Sequence, residues 1–193
     1  MRTFMSDNLS YSVRWATGDD LSQIKDLQLA SSLDGVSPED QEAVKATEGY
    51  VSWLPSIEQL AKIADREGIV CAVTDTGEVI GYEVPAPFDI IVEEFAVFEE
   101  VRRLLADVVF EGNPVLEGFH IGQIAVKKGY KGGSADVANT MHRLLLDRVR
   151  GKYRHLFTGI LKSNPRSTKK AMAAGFVPVA SFDDWVSFAC KID

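Results

Sequence analysis

Short blocks of apolar and polar residues alternate along most of the chain, and they predict alternating strands and helices. Residues 11–16 alternate as a half-buried strand does, and the segment after Asp20, a typical N-cap residue, repeats its apolar residues at helical spacing. Ser56 and Gln59 form a capping-box pair at the start of another predicted helix. Residues 1–9 show neither pattern, so we expect them to form a loose leader.

Turn residues complete this pattern. Apolar runs on both sides of residues 75–77 (Asp-Thr-Gly) predict a hairpin over 69–85, and a second predicted hairpin, over 177–190, closes the chain. Residues 89–108 have helical periodicity with apolar residues on both faces. The complete predicted order is β-α-α-β-β-α-β-α-β-α-β-β. Such an alternation is typical of a mixed α/β (α+β) sheet with helices on both faces.

The composition excludes several classes of protein. With 46% hydrophobic and 25% charged residues the chain resembles an ordinary globular protein, and its net charge of −7 argues against nucleic acid as a partner. No window approaches the roughly 20 apolar residues that span a bilayer, and the first residues lack the apolar core of a secretory signal. Cys71 and Cys190 lie in apolar strand-like runs, so we expect free thiols and no metal. We therefore expect a cytoplasmic protein that contacts no membrane.

One junction between a strand and a helix carries candidate chemistry. The segment QIAVKKGYKGGSADVANTMHRLLLD, residues 123–147, joins a strand-like run to a helical pattern through glycines and lysines. Glycines at such a junction allow a tight turn. The free N–H groups and the positive end of a helix also attract anions such as phosphate. The local pattern leaves both interpretations open.

Two stretches within this order resemble the GNAT superfamily of N-acyltransferases. IAVKKGYKGG is similar to the family's strand, tyrosine and basic Gly-rich loop, and NPRSTKKAMAAGF is similar to its asparagine, short helix and Gly-Phe ending. The resemblance extends over nearly the whole chain, from residue 11 to residue 190. It implies a single GNAT-like domain over residues 1–193, with a mostly antiparallel seven-strand sheet and a helical insertion near 86–114.

The resemblance also implies acetyl-CoA as the acyl donor. The pantetheine and the thioester carbonyl would pair with backbone groups of the fourth predicted strand, at Ile124, Ala125 and Val126. The pyrophosphate would lie on the loop and the helix start, formed by Lys131, Gly132, Gly133, Ser134, Ala135 and Asp136. Asn164 is either a further cofactor contact or the N-cap of the short helix.

The Gly-rich loop departs from the family's pattern. With Lys131 at the basic position, Ser134 and Asp136 stand where the family has Gly and Gly or Ala. A register one residue earlier restores those small residues but puts Tyr130 at the basic position. We prefer the Lys131 register because a cation there would contact the pyrophosphate, and we expect Asp136 to oppose a bound anion slightly.

The catalytic groups that the resemblance implies are less complete. His120 stands where family members often have a carboxylate that acts as the base, and Glu117 is the reserve candidate. His120 is equally well explained as a half-buried strand residue. Ala171 stands where the family often has a tyrosine that protonates the leaving thiolate. The other noted carboxylates are interpreted as solvated charges, namely Glu83, Glu93, Glu94, Asp183 and Asp184, and His142 and His155 as structural residues.

Two functions remain open at this level. The first is an N-acetyltransferase that acts on a primary amine of a small molecule or a protein; the second is a non-catalytic CoA-binding or regulatory module on the same fold. A P-loop nucleotide-binding protein is disfavoured, because Gly132-Gly133-Ser134 lacks the Gly-Lys-Ser/Thr ending. The closing hairpin and the 89–108 helix are surfaces through which a homodimer could form.

Overall fold

The computed structural model describes residues 2–6, 9–47, 50–86, 88, 97–128, 130 and 134–192. Its strands are β1 (Arg2–Ser6), β2 (Leu9–Trp15), β3 (Val70–Thr74), β4 (Val79–Pro85), β5 (Val109–Phe110), β6 (Asn113–Pro114), β7 (Phe119–Val126), β8 (His155–Leu161), β9 (Val177–Ser181) and β10 (Trp185–Lys191). The α-helices of the described residues are α1 (Leu21–Ala30), α2 (Pro38–Thr47), α3 (Ile57–Arg66), α4 (Val97–Leu105), α5 (Ser134–Val149) and α6 (Pro165–Ala173).

These elements form two compact units. Unit 1 comprises Met1–Gly35, Val51–Pro85 and Gln123–Arg148, and unit 2 comprises Val36–Tyr50, Ala86–Gly122 and Val149–Asp193. Strand β7 therefore contributes its second half to unit 1 and its first half to unit 2.

In unit 1, β1, β2, β3 and β4 are antiparallel neighbours in that order. The end of β7 joins β4, where the N–H of Lys127 donates to the carbonyl of Ile80 at 2.8 Å. Every residue of β4 is buried, which means that both faces of this sheet are covered. Adjacent residues of a strand point to opposite faces. On one face, the Tyr82 hydroxyl donates to Gln123, which also accepts a hydrogen bond from Gln28 of α1. On the other face, Glu83 is hydrogen-bonded to His142 of α5, so helices cover both faces as predicted.

In unit 2, β10 pairs antiparallel with both β8 and β9. The start of β7 pairs parallel with β8, where Phe119 and His120 align with Leu156 and Phe157. The sheet is thus mixed and mostly antiparallel. Its core centres on a cluster of buried side chains, namely Leu105, Val115, Phe157 and Ala189. Full burial of a leucine, valine or phenylalanine side chain stabilises a fold by about 1.5–3 kcal/mol.

The seven predicted strands are all present, as β2, β3, β4 and β7 to β10. The prediction of a loose leader was wrong, because Arg2–Ser6 forms β1, paired with β2 from Arg2↔Val13 to Ser6↔Leu9. Pairing with an available strand edge is a tertiary event that the pattern of residues 1–9 does not reveal. Of the predicted 89–108 helix, Val97–Leu105 is helical as α4, and residues 89–96 lie outside the described residues.

The predicted helix starts are confirmed, although one of them works differently from the prediction. Ser56 Oγ accepts from the N–H of Gln59 at 3.3 Å, and Gln59 Oε1 accepts from the N–H of Ser56 at 2.8 Å. Asp20 precedes α1, but its carboxylate accepts from the Arg14 guanidinium at 2.6 Å and from the N–H of Thr17 at 2.7 Å. Asp20 therefore anchors α1 to β2 rather than capping it.

None of the helices in the described ranges is both long and apolar enough to cross a membrane. Within the same ranges, no three His, Cys, Asp or Glu side chains group as a metal site. Neither Cys71 nor Cys190 forms a disulfide within the described residues, and burial raises the pKa of Cys71 to about 12.

Gly118, which precedes β7, lies where there is no room for a larger residue. A Cβ there would lie 2.4 Å from Nε2 and 2.9 Å from the carbonyl oxygen of His155. The His155 ring is held in place, since its Nε2 donates to the Val115 carbonyl at 3.0 Å. We expect Gly118→Ala to lower the free energy of unfolding by about 1–3 kcal/mol, measured by urea denaturation.

Gly18→Ala is the matched control for this substitution, because a Cβ at Gly18 meets no atom within 4 Å. Its effect should stay within about 0.5 kcal/mol. Equal stabilities of the two variants would contradict the crowding at Gly118.

Candidate functional site

The end of β7 presents an apolar surface in unit 1. Ile124 is 43% exposed, although it lies in a strand bonded to β4, and Ala125 and Val126 are half-buried. The three residues predicted to hold the pantetheine therefore lie together at one end of one strand.

Helix α5 is held close to this strand by a glycine in β4. A Cβ on Gly81 would lie 3.1 Å from Met141 Cε, 3.3 Å from Val137 Cγ1 and 3.3 Å from the Ala125 carbonyl. Both α5 side chains are fully buried, and they recur on one face of the helix. These distances are shorter than ordinary van der Waals contacts, so the glycine at position 81 allows α5 to pack closely against β4 and the end of β7.

The first turn of α5 is the predicted anion site. Ser134 and Ala135 begin the helix, and the first N–H groups of an α-helix have no acceptor within it. Asp136 is exposed in this turn, and its carboxylate accepts a hydrogen bond of 3.1 Å from the Tyr11 hydroxyl. The side chains of Ser134 and Ala135 are not described, and Lys131, Gly132 and Gly133 lie outside the described residues.

His120 lies in unit 2 in an aromatic environment. Its ring stacks on Phe157, with centroids 4.6 Å apart, and lies 5.0 Å from the ring of Phe88. Its Nδ1 donates to the Ala86 carbonyl at 2.7 Å, which leaves the Nε2 lone pair as the basic position. Burial lowers the pKa of His120 to about 4, against the opposing effect of the Ala86 hydrogen bond. The imidazole is therefore neutral at neutral pH, but it is a weak base.

The other predicted residues of unit 2 have different surroundings. Glu117 ends a short 3-10 helix and is exposed to solvent. Asn164 is buried, and both functions of its amide are engaged: Oδ1 accepts from the N–H of Ser167 at 3.3 Å, and Nδ2 donates to the Tyr50 carbonyl at 2.9 Å. Asn164 thus caps α6 and ties it to Tyr50. Ala171 lies in α6 and offers no acidic proton.

Comparison with known proteins gives a match only at the level of structure. No protein-family model matches the chain, and a search of curated proteins finds no match. A GNAT-family acetyltransferase from Listeria monocytogenes shares the fold with a TM-score of 0.59 at 13% identity, over 98% of this chain and 99% of its own. The chain has the GNAT acetyltransferase fold. The resemblance noted in the sequence is confirmed at this level.

Two further structures share the GNAT fold with this chain. The yncA protein of Salmonella typhimurium, solved with its cofactor acetyl-CoA, has a TM-score of 0.56 at 14% identity, over 97% of this chain and 95% of its own. Ribosomal-protein-alanine N-acetyltransferase from Brucella melitensis has a TM-score of 0.57 at 16% identity, over 93% and 99%. The GNAT fold therefore extends over nearly the whole chain.

In unit 1 the structure contains a buried hydrogen bond between Glu83 and His142 that the sequence pattern missed. Glu83 is fully buried, and its Oε1 accepts from His142 Nδ1 at 2.8 Å. The interpretation of Glu83 as a solvated charge was wrong, because β4 is covered on both faces. Burial alone would lower the pKa of His142, but the hydrogen bond and the charge of Glu83 raise it above its ordinary value. The only signal in the sequence was a glutamate within an apolar strand.

Proposed function

We propose that this protein is an N-acetyltransferase that transfers an acetyl group from acetyl-CoA to a primary amine. The observation that carries the proposal is the GNAT fold, shared over at least 93% of the chain with acetyltransferases of known structure. The close packing of α5 against β4 and the end of β7 at Gly81 also supports it. A helix N-terminus next to an exposed apolar strand end suits a donor that joins a diphosphate to an apolar arm.

The geometry supports the following assignment of donor-binding residues. Backbone groups of Ile124, Ala125 and Val126 would pair with the pantetheine, and the first-turn N–H groups of α5 with the pyrophosphate. Lys131, Gly132 and Gly133 remain predicted contacts from the sequence. Asn164 has a complete structural role as a cap, so we now favour that role over a cofactor contact.

The reaction requires a neutral amine, a polarised carbonyl and a route for one proton. The amine nitrogen attacks the thioester carbon, the C–N bond forms, the C–S bond breaks, and the proton leaves the nitrogen. His120 could accept this proton at Nε2, although its low pKa makes it a weak base. With Ala171 in α6, the proton would reach the leaving thiolate through water, or from His120 once it is protonated. Glu117 is the exposed alternative base.

The first test is binding of the donor by the native protein. Acetyl-CoA at a hundredfold excess over its Kd should stabilise the fold by about 2.7 kcal/mol, measured as a rise in Tm. Lys131→Glu should abolish this rise, because it reverses a charge predicted to contact the pyrophosphate. Lys128→Glu makes the same charge change in the same loop and serves as the matched control. Absence of any rise with millimolar acetyl-CoA would refute the proposal.

A non-catalytic CoA-binding module is the second candidate. The combination of Ala171 with a weakly basic His120 favours it. The two functions differ in a single measurement, the release of free CoA thiol in the presence of a panel of small-molecule and peptide amines. An acetyltransferase releases thiol with at least one amine, whereas a binding module gives the Tm rise without any release.

A further inference from the structure

A buried tyrosine reaches the predicted anion site from within the sheet of unit 1. Tyr11 of β2 is only 1% exposed, and its hydroxyl donates to Asp136 Oδ2 at 3.1 Å. The ring of Tyr130 packs edge-on against it, with centroids 6.3 Å apart at an interplanar angle of 83°. Tyr11 is therefore fixed in place, and the Asp136 carboxylate is held toward β2.

Asp136 is well placed to interfere with an anion bound at this helix start. It is the third residue of α5, so its carboxylate lies in the turn that carries the free N–H groups. A carboxylate in the first turn is attracted to the positive end of the helix and can reach back to its first N–H groups. A mobile Asp136 side chain would thus compete with a pyrophosphate for the same donors, and it would also repel the pyrophosphate.

The hydrogen bond from Tyr11 gives the Asp136 carboxylate a partner in β2. Burial raises the pKa of Tyr11 against the opposing effect of a hydrogen bond with Thr140 of α5, and the Asp136 carboxylate raises it further, so the hydroxyl keeps its proton at neutral pH. A protonated hydroxyl donates to a carboxylate and cannot accept from it.

We propose that Tyr11 is a positioning residue for the acyl donor: by holding the Asp136 carboxylate toward β2, it leaves the first-turn N–H groups of α5 available to the donor's pyrophosphate. This inference rests on the proposed function. It also accounts for an aspartate at a position where a small residue was expected, since the charge is held aside by a partner 125 residues away.

The test compares a donor that has the pyrophosphate with one that lacks it. Tyr11→Phe removes only the hydroxyl, and it should raise the Kd of CoA about three- to tenfold, as expected for loss of one hydrogen bond. Binding of S-acetylpantetheine, which has no pyrophosphate, should be unchanged. A general loss of structure would weaken binding of both compounds equally.

A rescue variant separates positioning from stability. In an Asp136→Ala background no side-chain oxygen competes, so adding Tyr11→Phe should leave the Kd of CoA unchanged. Tyr82→Phe is the matched control, because it removes another buried hydroxyl, bonded to Gln123 at 3.2 Å, without touching α5. Its ratio of CoA to S-acetylpantetheine affinity should equal that of the wild type.

Three results would overturn the inference: an unchanged Kd of CoA in Tyr11→Phe, an equal loss of affinity for both compounds, or a loss of CoA affinity that persists with Asp136→Ala. If the wild-type protein binds no CoA, the proposed function itself fails, and this inference fails with it. Wild-type binding with any of the three results refutes the role of Tyr11 alone.

Discussion

Replacing His142 by alanine is expected to lower the free energy of unfolding by about 3–5 kcal/mol at neutral pH. The reason is the fully buried carboxylate of Glu83, which loses the partner at 2.8 Å that compensates for its desolvation. Removing one member of a buried pair costs far more than the pair contributes, because the remaining charge cannot reach water. Urea denaturation of the two proteins at one pH measures the difference.

The ion pair also predicts the direction of a pH dependence. Because the pKa of His142 is raised in the folded state, its contribution to stability is complete below the unfolded pKa of 6.5. The contribution is lost as the pH rises through the folded pKa. The free energy of unfolding of the wild-type protein should therefore decrease as the pH increases through the folded pKa of His142. In Glu83→Gln this decrease should disappear.

Arg143→Ala is the control for the helix itself, since Arg143 is exposed on α5 next to His142. Its effect should stay within about 0.5 kcal/mol. A loss below about 1 kcal/mol in His142→Ala, or a pH slope that survives in Glu83→Gln, would argue against an energetically important pair.

The second large effect is a pH dependence of stability that arises from His120, and it is opposite in sign to the effect of His142. Burial lowers its pKa from 6.5 to about 4, so the unfolded chain binds a proton in this range that the folded protein does not. Stability is therefore complete above pH 6.5 and is lost as the pH falls toward 4. One pKa unit corresponds to about 1.4 kcal/mol, so the loss amounts to about 3 kcal/mol.

Direct titration measures this shift without relying on unfolding. The chain has three histidines, and NMR of their ring carbons should show one that titrates near pH 4 and one that titrates above 6.5. His120→Asn, whose amide can still donate to the Ala86 carbonyl, should remove the first signal and the acid slope. His142→Gln should retain both the signal that titrates near pH 4 and the acid slope. An acid slope unchanged in His120→Asn would contradict a buried neutral imidazole.

The same shift bears on catalysis. If His120 is the base, the acidic limb of the pH–rate profile lies near pH 4 rather than near the ordinary value of histidine. A limb near 6.5 would instead point to another group.

Local chemistry made much of the fold predictable. The capping box of Ser56 and Gln59 and the cap formed by Asn164 were read correctly, because both partners of a cap lie within one helical turn. Gly77 was read correctly as a turn residue, and it adopts a positive φ of 85°. The GNAT resemblance was also correct as a fold. The resemblance rests on the order of residues within two short stretches, and such an order can be read without knowing any tertiary contact.

The sequence by itself determined the order of strands and helices, the helix starts and the strand-to-helix junction of residues 123–147. These features depend on periodicity and on side chains close along the chain. The tertiary structure alone decided that Glu83 is buried against His142, that the pKa of His120 is low, and that Tyr11 holds Asp136. Each depends on residues that are distant in sequence, and strand register and helix packing bring such residues together. A charge acquires its ionisation state and its role from those neighbours, which no local pattern specifies.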